Sequence, residues 1–203
     1  MIREIIIFPL THGSVMSEIL PLTWFQRDTS TVAEQLIGCQ LCVRQNNGEI
    51  LRCTISETEA YLGVRDKASH NYGGRRTPRT EIMYSSGGHI YVYLIYGMYH
   101  MLNLITQTEQ EPEGVMLRAA FFADSVSKTD FKRLSGPGKL TKQLDISEKF
   151  KAKTLGVETG LWVENKIVQP DVVREKRVGI DYAEEAKDWL ERYCWKDHPS
   201  LSR

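Results

Sequence analysis

Gln40-Leu41-Cys42-Val43-Arg44-Gln45-Asn46-Asn47-Gly48-Glu49-Ile50-Leu51, continued by Arg52-Cys53-Thr54-Ile55-Ser56-Glu57-Thr58-Glu59-Ala60, decides how this chain folds. Two β-favouring runs, 40–44 and 49–60, flank Asn46-Asn47-Gly48. An Asn-Gly pair readily takes the positive φ angles of a tight turn, so the spacing predicts an antiparallel hairpin. Side chains alternate between the two faces of a strand, which predicts that Leu51, Cys53, Ile55, Glu57 and Glu59 share one face. Two carboxylates would then extend an otherwise apolar, buried row. Just upstream, Thr31-Val32-Ala33-Glu34 has capping-box form, and Val32, Ala33, Leu36 and Ile37 form one helical stripe that stops at Gly38.

Working outward, residues 63–88 read as a loop rich in Gly, Arg, Thr and Ser, with Pro78 as its rigid point. Residues 90–95 and 99–106 are aromatic and β-favouring, joined across Tyr96-Gly97-Met98. They predict a second hairpin whose tip carries a large aromatic side chain. A further strand is expected over 115–122, a short helix over 139–144, and helical spacing is visible in Ala186, Leu190 and Tyr193 within 184–193. The sum is an α+β fold: a single domain with a curved, largely antiparallel β-sheet core, flanking short helices and a protruding β-hairpin. Its expected span is 17–203, with 1–16 an N-terminal extension; Met16 offers an alternative start.

The 203 residues suffice for one well-buried core, and no run approaches the ~18 apolar residues of a membrane span. The opening apolar stretch is too short for a secretory signal, so a cytoplasmic protein is expected. Formal charge is zero, yet charge is locally uneven. Residues 65–79 hold five basic side chains (Arg65, Lys67, Arg75, Arg76, Arg79) against Asp66, and residues 128–142 hold five (Lys128, Lys132, Arg133, Lys139, Lys142) against Asp130. Cys39 and Cys42 have chelate spacing, but on a strand their thiols diverge, so buried, unreactive cysteines and no metal are expected.

Glu57 and Glu59 are candidates for taking a proton from water, and mutual repulsion plus burial could raise one pKa. Equally, either could simply pair with an arginine such as Arg118; the residues alone do not choose between the two acids. Tyr61, His70, Tyr91, Tyr93, Tyr96 and Tyr99 form an unusual density of aromatic groups able to sandwich a flat ring, although tyrosine is also an ordinary strand residue. An aromatic hairpin tip could wedge into a nucleic-acid duplex.

Glu57-Thr58-Glu59-Ala60-Tyr61-Leu62-Gly63, Ser69-His70, Gly74-Arg75-Arg76-Thr77-Pro78-Arg79 and Tyr91-Val92-Tyr93-Leu94-Ile95-Tyr96-Gly97-Met98-Tyr99 with Asn103 resemble, in order and spacing, the alkyladenine (3-methyladenine) DNA glycosylase family. The resemblance continues through Gly114–Ala119 and Ser135–Leu140 to Arg177-Val178-Gly179-Ile180. It implies that Glu59 is the general base and Arg118 helps hold the attacking water, with the Ile180 carbonyl as a third anchor. It further implies a base pocket of Tyr61, His70 and Tyr93, with Asn103 discriminating against normal guanine. Tyr96 would intercalate with Met98 beside it, and Thr77, Arg79 and Lys139 would approach the DNA backbone. The implied partner is double-stranded DNA containing damaged purines, met by a monomer with no cofactor and no membrane association, in a nucleoid-associated cytoplasmic setting. Ser85-Ser86-Gly87-Gly88-His89 and Ala120-Phe121-Phe122 depart from the family pattern, the first predicting a softer loop. Two other classes use part of the pattern: a non-catalytic module for distorted nucleic acid, and a hydrolase of small nucleosides.

Overall fold

A computed structural model describes residues 18–166 and 168–202; the expected extension at 1–16 lies outside the described residues. Eight strands form one antiparallel sheet: β1 (Gln40–Arg44), β2 (Ile50–Tyr61), β3 (Ile90–Ile95), β4 (Tyr99–Ile105), β5 (Gly114–Phe122), β6 (Leu161–Glu164), β7 (Val172–Glu175) and β8 (Arg192–Trp195). The order runs β3-β4-β5-β2-β1-β6, while β8 pairs with the second half of β2 and with β7. Both expected hairpins form. Arg44 pairs with Ile50 around the Asn46-Asn47-Gly48 turn, and Ile95 pairs with Tyr99 around Tyr96-Gly97-Met98.

Short helices flank this curved sheet: α1 (Leu22–Phe25), α2 (Thr29–Gln35), α3 (Lys128–Phe131) and α4 (Pro137–Gln143). Helices α2 and α4 cover its core face, while α3 packs Phe131 against Phe121 of β5. Val32, Ala33, Leu36 and Ile37 are fully buried, as their spacing predicts. The start of α2 differs from expectation: Asp28, not Thr31, is the N-cap, its carboxylate accepting from the Thr31 amide at 2.8 Å. An acid three residues earlier satisfies the free amides better than the Thr31-Glu34 box, and the helix begins where that cap sits. Proline opens α4, where its missing N–H costs nothing, and Leu140 and Leu144 enter the core beside Val92 and Leu102.

One expectation on β2 is overturned, with consequences for the site. Cys53 and Ile55 face the core, but Glu57 and Glu59 do not continue their row. Ile55 pairs with Ala120, Glu57 with Ala119 and Thr58 with Leu117, so Ser56 on β2 and Arg118 on β5 are each an extra residue. A bulge adds one residue to the count and so reverses which side chains face the core. Beyond it, Thr58 and Ala60 point to the core, where the Thr58 hydroxyl donates to the Ala33 carbonyl of α2 at 2.8 Å. Glu57, Glu59, Tyr61 and Arg118 are thereby gathered on the opposite face with Tyr91, Tyr93 and Asn103.

The expected helix over 184–193 is also replaced. Residues Glu184–Asp188 form only a short 3-10 turn, and Arg192–Trp195 is strand β8, whose backbone is captured between β2 and β7. Ladder pairing on both edges outweighs the weak helical periodicity. Ser85–His89 is tightly held: a side-chain carbon on Gly87 would lie 2.5 Å from the Phe25 carbonyl oxygen, so only glycine fits. Cys39, just before β1, and Cys42 on it are buried free thiols, Cys39 packed into the core cluster and Cys42 not, and burial raises both, Cys39 to about 11.

Candidate active site

The loop between β2 and β3 is organised by a buried ion pair. Asp66 accepts from the Leu62 and Ala68 amides at 2.9 Å each and from both terminal nitrogens of Arg177 at 2.5 and 2.9 Å. Arg177 also reaches the Ala60 carbonyl at 2.8 Å, and its guanidinium lies 4.8 Å from the Tyr61 ring centre. Carboxylate and the two terminal guanidinium nitrogens thus pair away from water, fixing residues 66–70 against the end of β2. The pair fixes one wall of a pocket lined by Tyr61, Ala68, Ser69, His70, Met83, Tyr91, Tyr93, Asn103 and Gly114.

Strand alternation sets the aromatic wall: Tyr91 and Tyr93 are two residues apart on β3 and share the site face. The His70 ring meets Tyr93 edge-on at 4.7 Å between centres, and its Nδ1 is 3.0 Å from the Tyr91 hydroxyl. Burial, with Arg79 and Arg75 nearby, lowers the imidazole pKa to about 4, so His70 is neutral at pH 7. Asn103, on β4 opposite Tyr91, donates its side-chain amide to the Tyr91 and Met101 carbonyls at 3.2 and 3.3 Å. Its orientation is therefore fixed by the backbone of both strands.

Glu59 is fully buried at the pocket's edge. One carboxylate oxygen accepts from the Tyr61 hydroxyl at 2.8 Å; the other accepts from the Val178 amide at 2.8 Å and lies 3.4 Å from Arg118 Nη1. Burial raises its pKa, opposed by Arg118, the Val178 amide and Tyr61 and reinforced by Glu57. Arg118 bridges the two acids: its Nε donates to Glu57 at 3.1 Å while Nη1 faces Glu59. The pairing with Arg118 that the sequence offered as the structural alternative for these acids is present for both of them. Arg192 on β8 adds another guanidinium, 3.7 Å from Glu57.

Other expected site residues stand around this centre. Tyr96, 84% exposed with φ 52°, and Met98, 66% exposed, form the tip of the β3–β4 hairpin. A non-glycine residue in the left-handed region costs about 1 kcal/mol, here spent holding an aromatic ring in solvent. The Arg79 guanidinium lies 5.1 Å from the Tyr93 ring centre at the pocket rim, and the Thr77 hydroxyl is turned 3.1 Å from that of Thr80. Lys139, exposed on α4, lines a groove with Arg118, Lys128, Lys132, Ser135 and Ser202. Ile180 is buried behind Tyr61, and its carbonyl accepts from the Ala183 amide at 2.9 Å. Within the first basic cluster Arg76 is paired with Glu81 at 2.6 Å, and Lys67 with Glu184 and Glu185 at 2.6 and 2.8 Å. Two of its five charges therefore have acidic partners.

Sequence reading missed several groups. Tyr91, one of the aromatic candidates in the sequence, lines the pocket beside Tyr93, although the family resemblance does not single it out. The Val178 amide comes from the segment between β7 and β8, inside the Arg177–Ile180 motif but with no role read from it, while Arg192 on β8 and Ser202 beyond it are marked by no local pattern. Among the described residues no cluster of three His, Cys, Asp or Glu side chains could hold a metal ion, and no helix is long and apolar enough to cross a membrane.

Comparison with known proteins accords with this geometry. Residues 23–199 match the model of the methylpurine-DNA glycosylase family. A protein of Psychrobacter cryohalolentis is 46% identical over 94% of this chain and 98% of its own length. Relatives in Bdellovibrio bacteriovorus and Clostridium tetani are 42% and 41% identical, covering 91% and 89% of this chain and 99% and 97% of their own lengths. All three carry the name "Putative 3-methyladenine DNA glycosylase". With a match over nearly its whole described length, around a buried Glu-Arg centre beside an aromatic pocket, the chain belongs to the methylpurine-DNA glycosylase family.

Proposed function

We propose that the protein excises alkylated purines of the 3-methyladenine type from double-stranded DNA by hydrolysing the N-glycosidic bond, leaving the strand uncut. The observation that carries this reading is Glu59, a carboxylate removed from bulk water, held by two hydrogen-bond donors and an ion pair with Arg118 and set against an aromatic pocket. The protein, acting as a monomer, bends the duplex, and Tyr96 fills the space vacated as a nucleotide rotates outward. Thr77, Arg79 and Lys139 engage the phosphate backbone. The base enters between Tyr61, His70 and Tyr93.

Alkylation gives the purine a positive charge, which aromatic faces attract and a cationic imidazole would repel. A neutral His70 suits that ligand. Asn103, fixed by two carbonyls, crowds the exocyclic amine of normal guanine. Glu59 takes a proton from a water that Arg118 and the Ile180 carbonyl help to hold. The water oxygen bonds to the sugar's anomeric carbon while the carbon–nitrogen bond breaks, and the bonding pair leaves with the base, neutralising its charge. The transition state is oxocarbenium-like, and Glu59, still carrying part of its negative charge as the proton moves, stabilises it electrostatically. Water is the nucleophile, and no amine of the pocket forms an adduct with the sugar.

The test is base release from a methylated duplex, with free methylated nucleosides and Glu59→Gln as companions. Release from duplex alone, abolished by the substitution, is expected. Binding to distorted DNA without release would favour a non-catalytic module, and turnover of free nucleosides would favour a small-molecule hydrolase.

A further inference from the structure

Residues 200–202 run alongside Glu57 and Arg118, outside the lining of the aromatic pocket, and neither the sequence motifs nor the mechanism uses them. The Ser202 amide donates to one oxygen of Glu57 at 2.6 Å, and its hydroxyl donates to the other at 2.8 Å. The same hydroxyl accepts from Arg118 Nε at 3.3 Å and Nη2 at 3.1 Å. A serine hydroxyl has one proton to give and two lone pairs, and this one uses all three. The segment is itself held. The Leu201 carbonyl accepts from Lys132 Nζ at 2.6 Å and from the Ser135 hydroxyl at 2.9 Å, while the Ser200 hydroxyl lies 2.6 Å from that of Ser56, the bulged residue of β2.

We propose that Ser202 is a positioning residue for the excision reaction, a pivot that locks the Arg118 guanidinium against Glu57 so that Nη1 points at Glu59. Glu57 occupies the Nε edge of Arg118, Ser202 bridges Nε and Nη2, and the remaining nitrogen faces the base. A guanidinium fixed on two sides has one orientation available to its third. The inference rests on the reading of Glu59 as general base assisted by Arg118.

Four variants test it in single-turnover excision from a methylated duplex, alongside affinity for a duplex carrying an uncleavable abasic analogue. Ser202→Ala, or Ser202→Cys if the alanine variant melts early, should slow excision about tenfold, since hydrogen bonds to charged groups are the strong ones, with affinity unchanged. Ser200→Ala, which loosens the segment without touching Glu57 or Arg118, should remain within about twofold of the parent rate. In an Arg118→Ala background Ser202→Ala should add nothing, because both act through one group. A parental rate in Ser202→Ala, an equal loss in Ser200→Ala, or an undiminished loss without Arg118 would each overturn the proposal. Glu59→Gln at the parental rate would instead remove the reading beneath it, whatever Ser202 does.

Discussion

Glu57 and Glu59 lie two residues apart on one strand, both fully buried and both beside Arg118, yet their surroundings divide them. Among the described residues, Glu57 is held by Arg118 Nε, the Ser202 amide and hydroxyl, and Arg192 beyond, with no donor from the pocket wall. Glu59 borrows one donor from a pocket wall, Tyr61, and one from the backbone at Val178. On the proposed mechanism, identical side chains two residues apart divide between scaffold and chemistry by what each can still reach. Glu57 is enclosed by its donors; Glu59 adjoins the space where a base and a water would meet.

The largest way to break this comparison is to remove what the two acids share. Arg118→Met would leave two buried carboxylates without their common cation, and stability measured by urea unfolding should fall by about 3–5 kcal/mol. A variant as stable as the parent would mean that Arg192 and the amides suffice, erasing the distinction.

A second prediction probes a part of the molecule remote from both acids. Tyr96→Ala should slow release from a fully paired duplex by roughly tenfold, against little change on an unpaired lesion, because unstacking costs a few kcal/mol. Equal slowing on both substrates would show that the hairpin tip acts on the chemical centre after all.

The smallest effects are in pH and stability. Glu59 has its pKa raised by burial, so excision should decline on acidification with a midpoint above the usual carboxylate range. For a carboxyl raised in the folded state, the ionised form opposes folding at neutral pH. Glu59→Gln should therefore melt slightly higher than the parent even as it loses activity. A lower melting temperature would place Glu59 with Glu57 among the structural acids. His70 has the opposite linkage. Its folded pKa of about 4 lies below the ordinary 6.5, so the unfolded chain binds the proton first and stability drops as pH falls between those values. Substituting His70 by Gln should flatten that part of the stability profile.

The parts of the site visible in sequence were those governed by local geometry. Asn46-Asn47-Gly48 and Tyr96-Gly97-Met98 announce hairpins because turn conformation depends on a few adjacent residues. Once β3 and β4 are strands, Tyr93 and Asn103 must face one side. The side occupied by Glu57 and Glu59 was not legible, because strict alternation carries them into the core with Ile55. Only the paired bulges at Ser56 and Arg118, a property of two strands together, turn them out. The family resemblance had singled out Glu59 without revealing this reversal. The short strands β6, β7 and β8 carry too few residues to show a period, and 184–193 carries a misleading one. Ser202 reaches the site from far along the chain, and the contact of the Val178 amide with Glu59, although Val178 lies in a quoted motif, is a tertiary pairing that a linear pattern does not encode.

The most direct measurement is the single-turnover rate of base release from one methylated duplex by Glu59→Gln and Glu57→Gln side by side, with DNA binding confirmed for both. Loss of a general base should cost Glu59→Gln a factor of about 10²–10⁴, while Glu57→Gln, which keeps a hydrogen-bonding side chain against Ser202, should lose roughly tenfold. Glu59→Gln releasing base as fast as the parent, or Glu57→Gln as the more damaged of the two, would contradict the assignment of chemistry to Glu59.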